Sequence, residues 1–334
     1  MKRPTLLLAL TCALLPHSGA MAQTTLTSST PVIGFYKFDV PVGTSAWTCG
    51  LVTKKQFQGA MSSTLPSGSK STVNVSTATW QPGAFSLHYV EILSGPQEGL
   101  IIDIDPTTPN TATQLTVIGK TSGPNGLGLT GTENFCIRKH ATLATVFKSG
   151  GGLAAYTDYV TLIDGNGLEK AFGYSGTQWF DGGFSIPSNN QIIYPGQGFL
   201  ITSESAIQIT FGGDEVAYVK SGPLKVPVYA NKRNLVGVLS PVVSTNPLDS
   251  AYPSSSVPGS SLGLVAFLEP YTDVINTFTT DGLFADDAVF GSNGSTLVDG
   301  GFFLDRSSTP FRNGSVFAIT PQVDSLYTQP ALVP

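Results

Sequence analysis

Charged residues are scarce in this chain, which limits the partners that it can bind through electrostatics. Asp, Glu, Lys and Arg make up 12% of the 334 residues, and the 22 acidic side chains outnumber the 17 basic ones. The basic residues are scattered, so no basic stripe is available to neutralise the phosphates of a nucleic acid or anionic lipid headgroups. We therefore predict no nucleic-acid partner and no binding to anionic membrane surfaces.

Long apolar runs and helical periodicity are also lacking. After the first 22 residues, no segment reaches the roughly 18 uninterrupted apolar residues that indicate a membrane helix, so we predict no transmembrane segment in the mature chain. Hydrophobic residues nevertheless make up 41% of the chain and aromatic residues 10%, which is too much for a disordered protein. Together with 37 Gly and 23 Pro, these totals indicate a globular protein with many turns.

The first 22 residues have the pattern of a bacterial secretory signal peptide. Lys2 and Arg3 form a basic start, residues 6–15 form a short apolar stretch, and Ala20-Met-Ala22 is a small-residue cleavage site. A lipoprotein signal ending at Cys12 is disfavoured, because cleavage there would cut the apolar stretch in half. We predict an exported protein in the periplasm, on the outer surface or in the medium.

Short apolar runs bounded by Gly, Pro, Asn and Ser recur along the chain and predict an all-β fold. The clearest pair, residues 88–93 and 100–105, predicts a hairpin. In its second strand, aliphatic residues alternate with Asp103 and Asp105, which predicts one buried face and one solvated face. The only helix that we predict is a short one near residues 142–148.

The second half of the chain repeats part of the first. Asp181-Gly-Gly-Phe184 recurs as Asp299-Gly-Gly-Phe302 at an offset of 118 residues. Upstream, Tyr156-Thr-Asp158 recurs as Tyr271-Thr-Asp273 at an offset of 115. Matches of this kind extend over about fifty residues with only small gaps, and they indicate an internal duplication.

The front of each copy shows that the first copy is longer. Val40-Pro-Val42 recurs as Val226-Pro-Val228 at an offset of 186, and the difference of 68 residues predicts an insert in the first copy. We predict two related β-sandwich-like modules that pack sheet on sheet. The predicted boundaries are residues 31–210 for the first module, about 60–145 for its insert, which contains the hairpin, 211–334 for the second module and 243–263 for a long loop within it.

The mature chain has two cysteines, Cys49 and Cys136, which we predict to form a disulfide. An exported protein meets an oxidising compartment, where pairing is the usual state of two cysteines. Two buried thiols are the alternative.

The familiar catalytic patterns each fail on their context. Cys136 and His140 would lie about 13 Å apart on a strand, beyond the reach of a nucleophile and its base. Residues 259–263 match the nucleophile-elbow pattern, but no histidine follows them. Asp103 and Asp105 would lie about 7 Å apart on one strand, whereas glycosidase acids face each other across a cleft. The cysteines and histidines lack close-spaced zinc ligands, so we predict no catalytic residue, metal or cofactor.

Four aromatic residues are candidates for stacking on a sugar ligand: Trp47, Trp80, Trp179 and Tyr194. In β modules such residues are more often part of the core. Trp179 aligns with Leu297 of the second copy, which favours a packing role at that position.

Several segments carry a resemblance to a known group of proteins. These are the signal peptide, residues 32–45 (VIGFYKFDVPVGTS), residues 57–59 (FQG), the hairpin at 88–105, residues 136–147 (CIRKHATLATVF) and residues 193–201 (IYPGQGFLI). Together they resemble a family of exported proteins with no known activity, often present in many copies per genome, in bacteria of the Verrucomicrobia type. The resemblance covers residues 31–243 and implies a secreted β-rich protein, but no ligand and no catalytic residues.

We therefore expect a non-catalytic extracellular or cell-envelope protein that acts through its surface, by self-assembly or adhesion. Its partners would be other copies of itself, other envelope proteins or a polysaccharide. A carbohydrate-binding module is the alternative, and a hydrolase using Asp or Glu is the least favoured class. Strands with few charges leave sheet edges poorly protected against association, which motivates the first expectation.

Overall fold

We describe a computed structural model of the chain. It covers residues 35–49, 51–119, 127–164, 167–212, 216–219, 222–237, 256–258, 263–278, 284–301, 304–305, 310–312 and 316–330. The predicted signal peptide and most of the predicted loop at 243–263 lie outside these ranges.

Nearly all regular structure in the described ranges is antiparallel strand, which confirms the all-β prediction. Residues 35–74 contain β1 Phe35–Val40, β2 Gly43–Thr48, β3 Leu51–Thr53, β4 Lys55–Ala60, β5 Ser63–Ser67 and β6 Lys70–Asn74. Residues 88–163 contain β7 His88–Ile92, β8 Ile101–Asp103, β9 Gln114–Ile118, β10 Asn134–Lys139, β11 Ala141–Thr142, α1 Leu143–Val146, a 3-10 turn Lys148–Gly152 and β12 Tyr159–Ile163. Residues 169–228 contain β13 Glu169–Tyr174, β14 Trp179–Asp181, β15 Ile192–Ile193, β16 Gly198–Ser203, β17 Ile207–Gly212, β18 Val216–Val219 and β19 Leu224–Val228. Residues 234–329 contain β20 Asn234–Gly237, β21 Ser256–Pro258, α2 Leu264–Phe267, β22 Val274–Phe278, β23 Phe284–Ser292, β24 Leu297–Asp299, β25 Pro310–Arg312, β26 Val316–Ile319 and β27 Ser325–Gln329.

Two five-stranded sheets have the same strand order. The first runs β14-β13-β12-β16-β2 and the second runs β24-β23-β22-β26-β20. Each is accompanied by a pair of long-range strands, β1-β17 in one case and β19-β27 in the other, and by a one-turn helix. The α1 helix at 143–146 lies within the short helix predicted at 142–148.

The pairing register of the two sheets follows the offsets seen in the sequence. Val160 pairs with Ile201, and Ile275, which is 115 residues after Val160, pairs with Ile319, which is 118 residues after Ile201. Phe172 pairs with Asp181 in the first sheet, and Phe290 pairs with Asp299 in the second. Both residues of the second pair lie 118 positions after their counterparts in the first. The boundary of the two modules at residue 210 stays a prediction.

Each five-stranded sheet buries its apolar face in a separate core. The first core includes Trp47, Val160 and Phe199, and the second includes Val236, Ile275 and Phe317. Period-two alternation places these side chains on one face of each strand.

The opposite faces of the two sheets meet in a smaller apolar cluster, where Leu200 packs near Leu235 and Val316. Two glycines permit this close approach. A Cβ on Gly198 would lie 2.6 Å from Val316 Cγ1, and one on Gly237 would lie 2.2 Å from Thr48 Oγ1.

The strands between β2 and β11 form more than the predicted hairpin. β7 and β8 pair with each other and form the predicted hairpin. They belong to a four-stranded sheet, β4-β10-β7-β8, which packs on a three-stranded sheet, β5-β6-β9. These two sheets enclose a third core with Val90, Ile102 and Phe135. β11 and α1 pack into the first core, and the bounds of about 60–145 for the insert stay a prediction.

The insert also contacts the second repeat. Lys225 N of β19 donates to Gly99 O at 3.0 Å, and Leu100 forms a parallel bridge to Lys225. Gly99 has a φ of +88°, and a Cβ there would lie 2.6 Å from Pro223 O. The turn of the predicted hairpin therefore needs glycine where it meets β19.

The repeated Tyr-Thr-Asp segments form the same turn with different numbers of hydrogen bonds. Asp158 is fully buried and accepts from Ala154 N at 2.8 Å, from the Ser203 hydroxyl at 2.9 Å and from Glu204 N at 3.1 Å. Asp273 accepts from Glu269 N at 3.1 Å, but its Oδ1 is buried and has no hydrogen-bond partner among the described residues. The missing hydroxyl donor is explained by Pro321, which stands at the position equivalent to Ser203.

This difference predicts unequal costs for the same substitution. Asp158→Ala should lower the free energy of unfolding by about 3 kcal/mol, because buried donors lose a charged acceptor, and Asp273→Ala by about 1 kcal/mol. Urea unfolding of the mature protein, followed by circular dichroism, measures both values. Equal losses in the two variants would show that the additional contacts of Asp158 contribute nothing to stability.

Candidate functional site

A cavity of about 490 Å³ lies where the insert, the first repeat and the second repeat meet. The insert contributes Asp103, the first repeat contributes Tyr194 and Phe172, and the second repeat contributes Lys225 and Tyr229. Aliphatic side chains make up much of the remaining wall. The cavity therefore exists only when all three parts of the chain are folded and docked.

Asp103, His140 and Tyr194 form a hydrogen-bonded polar group at the cavity. The Tyr194 hydroxyl donates to Asp103 Oδ2 at 2.7 Å, and His140 Nε2 lies 3.2 Å from Asp103 Oδ1. His140 is buried behind the wall, with its ring centroid 4.9 Å from that of Tyr89 and 5.3 Å from that of Tyr194. Burial alone would raise the pKa of Asp103, but the hydrogen bonds from His140 and Tyr194 lower it below its usual range.

Strand alternation explains how Asp103 and His140 come together. Asp103 pairs with Tyr89 across the hairpin, and Arg138 pairs with Tyr89 on its other side. These residues share one face of the four-stranded sheet, and His140 follows Arg138 by two positions, next to the end of β10. The opposite face carries Ile102 and the rest of the third core.

A tight turn presents Tyr194 to this group. Gln197 N donates to Tyr194 O at 3.0 Å, and Pro195 and Gly196, with a φ of +77°, occupy the two central positions. Proline followed by a glycine with positive φ is the signature of a type II turn. The Gln197 side chain accepts from Tyr194 N at 3.0 Å, which fixes the turn further.

The same face of the insert continues away from the cavity as a fully buried ion pair. Arg138 Nε donates to Glu91 Oε2 at 2.7 Å, and both side chains are at most 4% exposed. Arg138 Nη1 also donates to Thr53 O. Removing one partner of such a pair leaves an uncompensated buried charge, so this face depends on every member being present.

The other charged groups at the cavity are already partnered. Lys225 Nζ donates to Pro96 O at 2.7 Å and to Gln97 Oε1 at 2.8 Å, and burial lowers the pKa of Lys225. Lys170 Nζ lies 3.1 Å from Asp164 Oδ2. The cavity therefore has no cluster of unpaired positive charge.

Tyr229 provides a second hydroxyl at the cavity wall. Its hydroxyl has no hydrogen-bond partner among the described residues. Burial, together with the negative charges of Asp103, Asp324 and Asp164, raises the pKa of Tyr229. This hydroxyl thus keeps its proton and can donate to a ligand as well as accept from it.

The predicted stacking residues do not come together. Trp47, Trp80 and Trp179 are 4%, 9% and 1% exposed, and they lie in the first and third cores. Tyr194, which is 38% exposed, is the member of the set that lines the cavity. The three tryptophans therefore pack in the cores and are not available to stack on a ligand.

The face predicted to be solvated at Asp103 and Asp105 is buried at Asp105 and half-buried at Asp103. Asp103 contacts His140 and Tyr194, and Asp105 is 4% exposed and accepts from Lys70 Nζ at 2.6 Å. The alternation of the strand is as predicted, but the first repeat covers the polar face at Asp103. Alternation of residues 136, 138 and 140 was the signal that could have placed His140 beside Asp103.

The predicted disulfide between Cys49 and Cys136 is wrong for this structure. Both are buried thiols: Cys49 belongs to the first core, whereas Cys136 Sγ lies 3.5 Å from Glu91 Oε2 on the polar face of the insert. Burial and the Glu91 charge raise the pKa of Cys136 to about 12. Cys49 lies in the first core and Cys136 lies on the polar face of the insert, and an oxidising compartment alone does not determine whether two cysteines meet.

None of the helices in the described ranges has the length and hydropathy needed to span a membrane. Comparison of the chain with family models, with curated proteins and with solved structures finds no match.

The burial of both thiols predicts their reactivity. In the native mature protein, a disulfide-exchange reagent at pH 8 should react with neither thiol, because reaction needs an accessible thiolate. In guanidinium chloride without reductant, two thiols per chain should react, and Cys136→Ser should leave one. If no thiol reacts in denaturant, Cys49 and Cys136 are joined by a disulfide and this prediction is wrong.

Proposed function

We propose that this chain is an exported, non-catalytic binding protein whose cavity takes a saccharide. The observation that carries the proposal is the hydrogen-bonded group of Asp103, His140 and Tyr194 in the wall of a cavity of about 490 Å³. Ligand sites in proteins have volumes of roughly 300 to 1,000 Å³, with mainly apolar walls and a few convergent polar groups. This cavity fits that description.

The charge of the wall favours a neutral, hydroxylated ligand. Lys225 and Lys170 are occupied by protein acceptors, so a phosphate or carboxylate would find no unpaired cation. Asp103 can accept from hydroxyl groups, whereas the rings of Tyr194 and Tyr229 offer apolar faces with polar edges. A sugar has hydroxyls and C–H faces that match both features.

The state of Asp103 supports binding rather than glycoside hydrolysis. A glycosidase needs a carboxylic acid whose pKa is raised, so that it can protonate the leaving group. The pKa of Asp103 is lowered by its two hydrogen bonds, which keeps it ionised. An ionised carboxylate held in this way is an acceptor for ligand hydroxyls.

Export is part of the same proposal, and its support comes from the sequence. Residues 1–22 have the basic start, the apolar stretch and the Ala-Met-Ala cleavage site of a signal peptide. A saccharide ligand suits a protein of the periplasm, the cell surface or the medium.

A glycan array followed by titration calorimetry of the mature protein tests the proposal. We expect binding of a saccharide. We expect Tyr229→Ala to weaken this binding about tenfold, which corresponds to a loss of about 1.4 kcal/mol of binding free energy. Tyr156→Ala is the matched control, because Tyr156 is 59% exposed and does not line the cavity. Failure of the wild type to bind any saccharide, or equal effects of the two substitutions, would contradict the proposal.

Self-assembly is the second candidate, and one edge strand favours it. In the described part of the chain, β4 pairs with β10 and lies at the edge of the four-stranded sheet, with most of its residues exposed. Lys55 is the charged residue at the start of this edge, and the uncharged residues 56–60 that follow can pair with a strand of another molecule.

Size-exclusion chromatography with light scattering tests self-assembly. If β4 mediates association, Ala60→Lys should shift the mature protein toward monomer, because lysine on an edge strand opposes pairing. Ala171→Lys adds the same charge to β13, which is paired on both sides, and should not change the mass. A monomeric wild type at high concentration would rule the association out.

A further inference from the structure

We infer that Tyr194 makes the cavity selective for ligand groups that donate hydrogen bonds, and that the saccharide places one of its hydroxyls on Tyr194 Oη and Asp103 as a donor. The inference rests on the proposed function and states which hydrogen-bonding groups of that ligand the site would recognise. It follows from where the protons of the Asp103 group must lie.

The Tyr194 hydroxyl uses its proton in the hydrogen bond to Asp103. An ionised carboxylate has acceptors only, so the 2.7 Å contact between Tyr194 Oη and Asp103 Oδ2 requires the tyrosine to donate. Burial and the charge of Asp103 raise the pKa of Tyr194, which keeps the phenol protonated. The only hydrogen-bonding capacity that Tyr194 Oη retains is as an acceptor.

His140 holds Asp103 in the same acceptor role. Its Nε2 lies 3.2 Å from Asp103 Oδ1, and an ionised carboxylate can only accept a hydrogen bond, so Nε2 carries the proton. Tyr89 and Tyr194 pack on both sides of the imidazole. Asp103 cannot rotate toward a ligand without losing one of these two bonds.

The exposed side of this group therefore presents lone pairs alone. The side chain of Asp103 is 29% exposed and Tyr194 is 38% exposed, so a ligand can reach both. A hydroxyl that donates to them is stabilised, whereas a group that only accepts, such as a carbonyl, an ether oxygen or fluorine, meets lone pairs. Leaving polar groups unpaired in a buried site discriminates strongly against such ligands.

Tyr229 has the opposite property and supplies an internal comparison. Its hydroxyl has no hydrogen-bond partner among the described residues, so it can turn to donate or to accept. The decrease in affinity caused by removing the Tyr229 hydroxyl should therefore be the same whether or not the ligand group can donate.

The test uses methyl glycosides of glucose, galactose and mannose together with their monodeoxyfluoro analogues, in which fluorine replaces one hydroxyl and cannot donate. Affinities for the mature protein are measured by calorimetry or ligand-observed NMR. For the wild type, fluorine at one position should weaken binding about 10- to 100-fold, the effect expected for a hydrogen bond to a charged acceptor. Tyr194→Phe should weaken the parent glycoside but leave its affinity for that one analogue nearly unchanged.

Tyr229→Phe is the matched control, since it also removes one phenolic hydroxyl from the wall, and it should weaken the parent and the analogue equally. If the wild type binds glycosides but tolerates fluorine at every position, or if Tyr194→Phe weakens the parent and all analogues equally, the inference is overturned while the proposed function stands. If the wild type binds none of these glycosides and no saccharide on the glycan array, the proposed function fails and the inference fails with it.

Discussion

The structure depends on the burial of a polar sheet face. One face of the four-stranded sheet of the insert is aliphatic and aromatic and fills the third core. The other face carries Tyr89, Glu91 and Arg138, which are buried, and Asp103, whose side chain is 29% exposed at the cavity. Buried charges are tolerated only when each has a partner, and here the partners are the Glu91–Arg138 pair and the contacts of Asp103 with His140 and Tyr194. Since Tyr194 belongs to another part of the chain, satisfying this face also fixes how the insert docks.

The repeated sheets supply the frame for that docking. Two five-stranded sheets of the same strand order pack through Leu200, Leu235 and Val316, and glycine at positions 198 and 237 lets their backbones approach. The insert then rests on both: its hairpin turn meets β19, and Asp103 meets the turn that follows β15. Tyr194 has no aromatic counterpart in the second repeat, where Arg312 stands 118 residues later. The hydrogen-bonded group of Asp103, His140 and Tyr194 is therefore formed by the first repeat and its insert.

Much of the fold could be predicted from the sequence, because its signals are local or repeated. Alternation predicted the hairpin of β7 and β8, and the offsets of 115 and 118 agree with the register of both five-stranded sheets. The site could not be predicted in the same way. Asp103 and Tyr194 are 91 residues apart, and alternation shows that a face is polar without showing what covers it. The same reason explains the incorrect disulfide, since a compartment does not determine that Cys49 lies in the first core and Cys136 on the polar face of the insert.

The cavity wall comes from three parts of the chain that are distant in sequence. A ligand that contacts all three binds only when they are docked, and so its binding free energy adds to the stability of the docked state in proportion to the logarithm of its concentration. Occupancy of the cavity would thus act as a non-covalent cross-link between the insert and the two repeats. Because Cys49 and Cys136 are not joined, this cross-link would be reversible and would respond to the concentration of ligand.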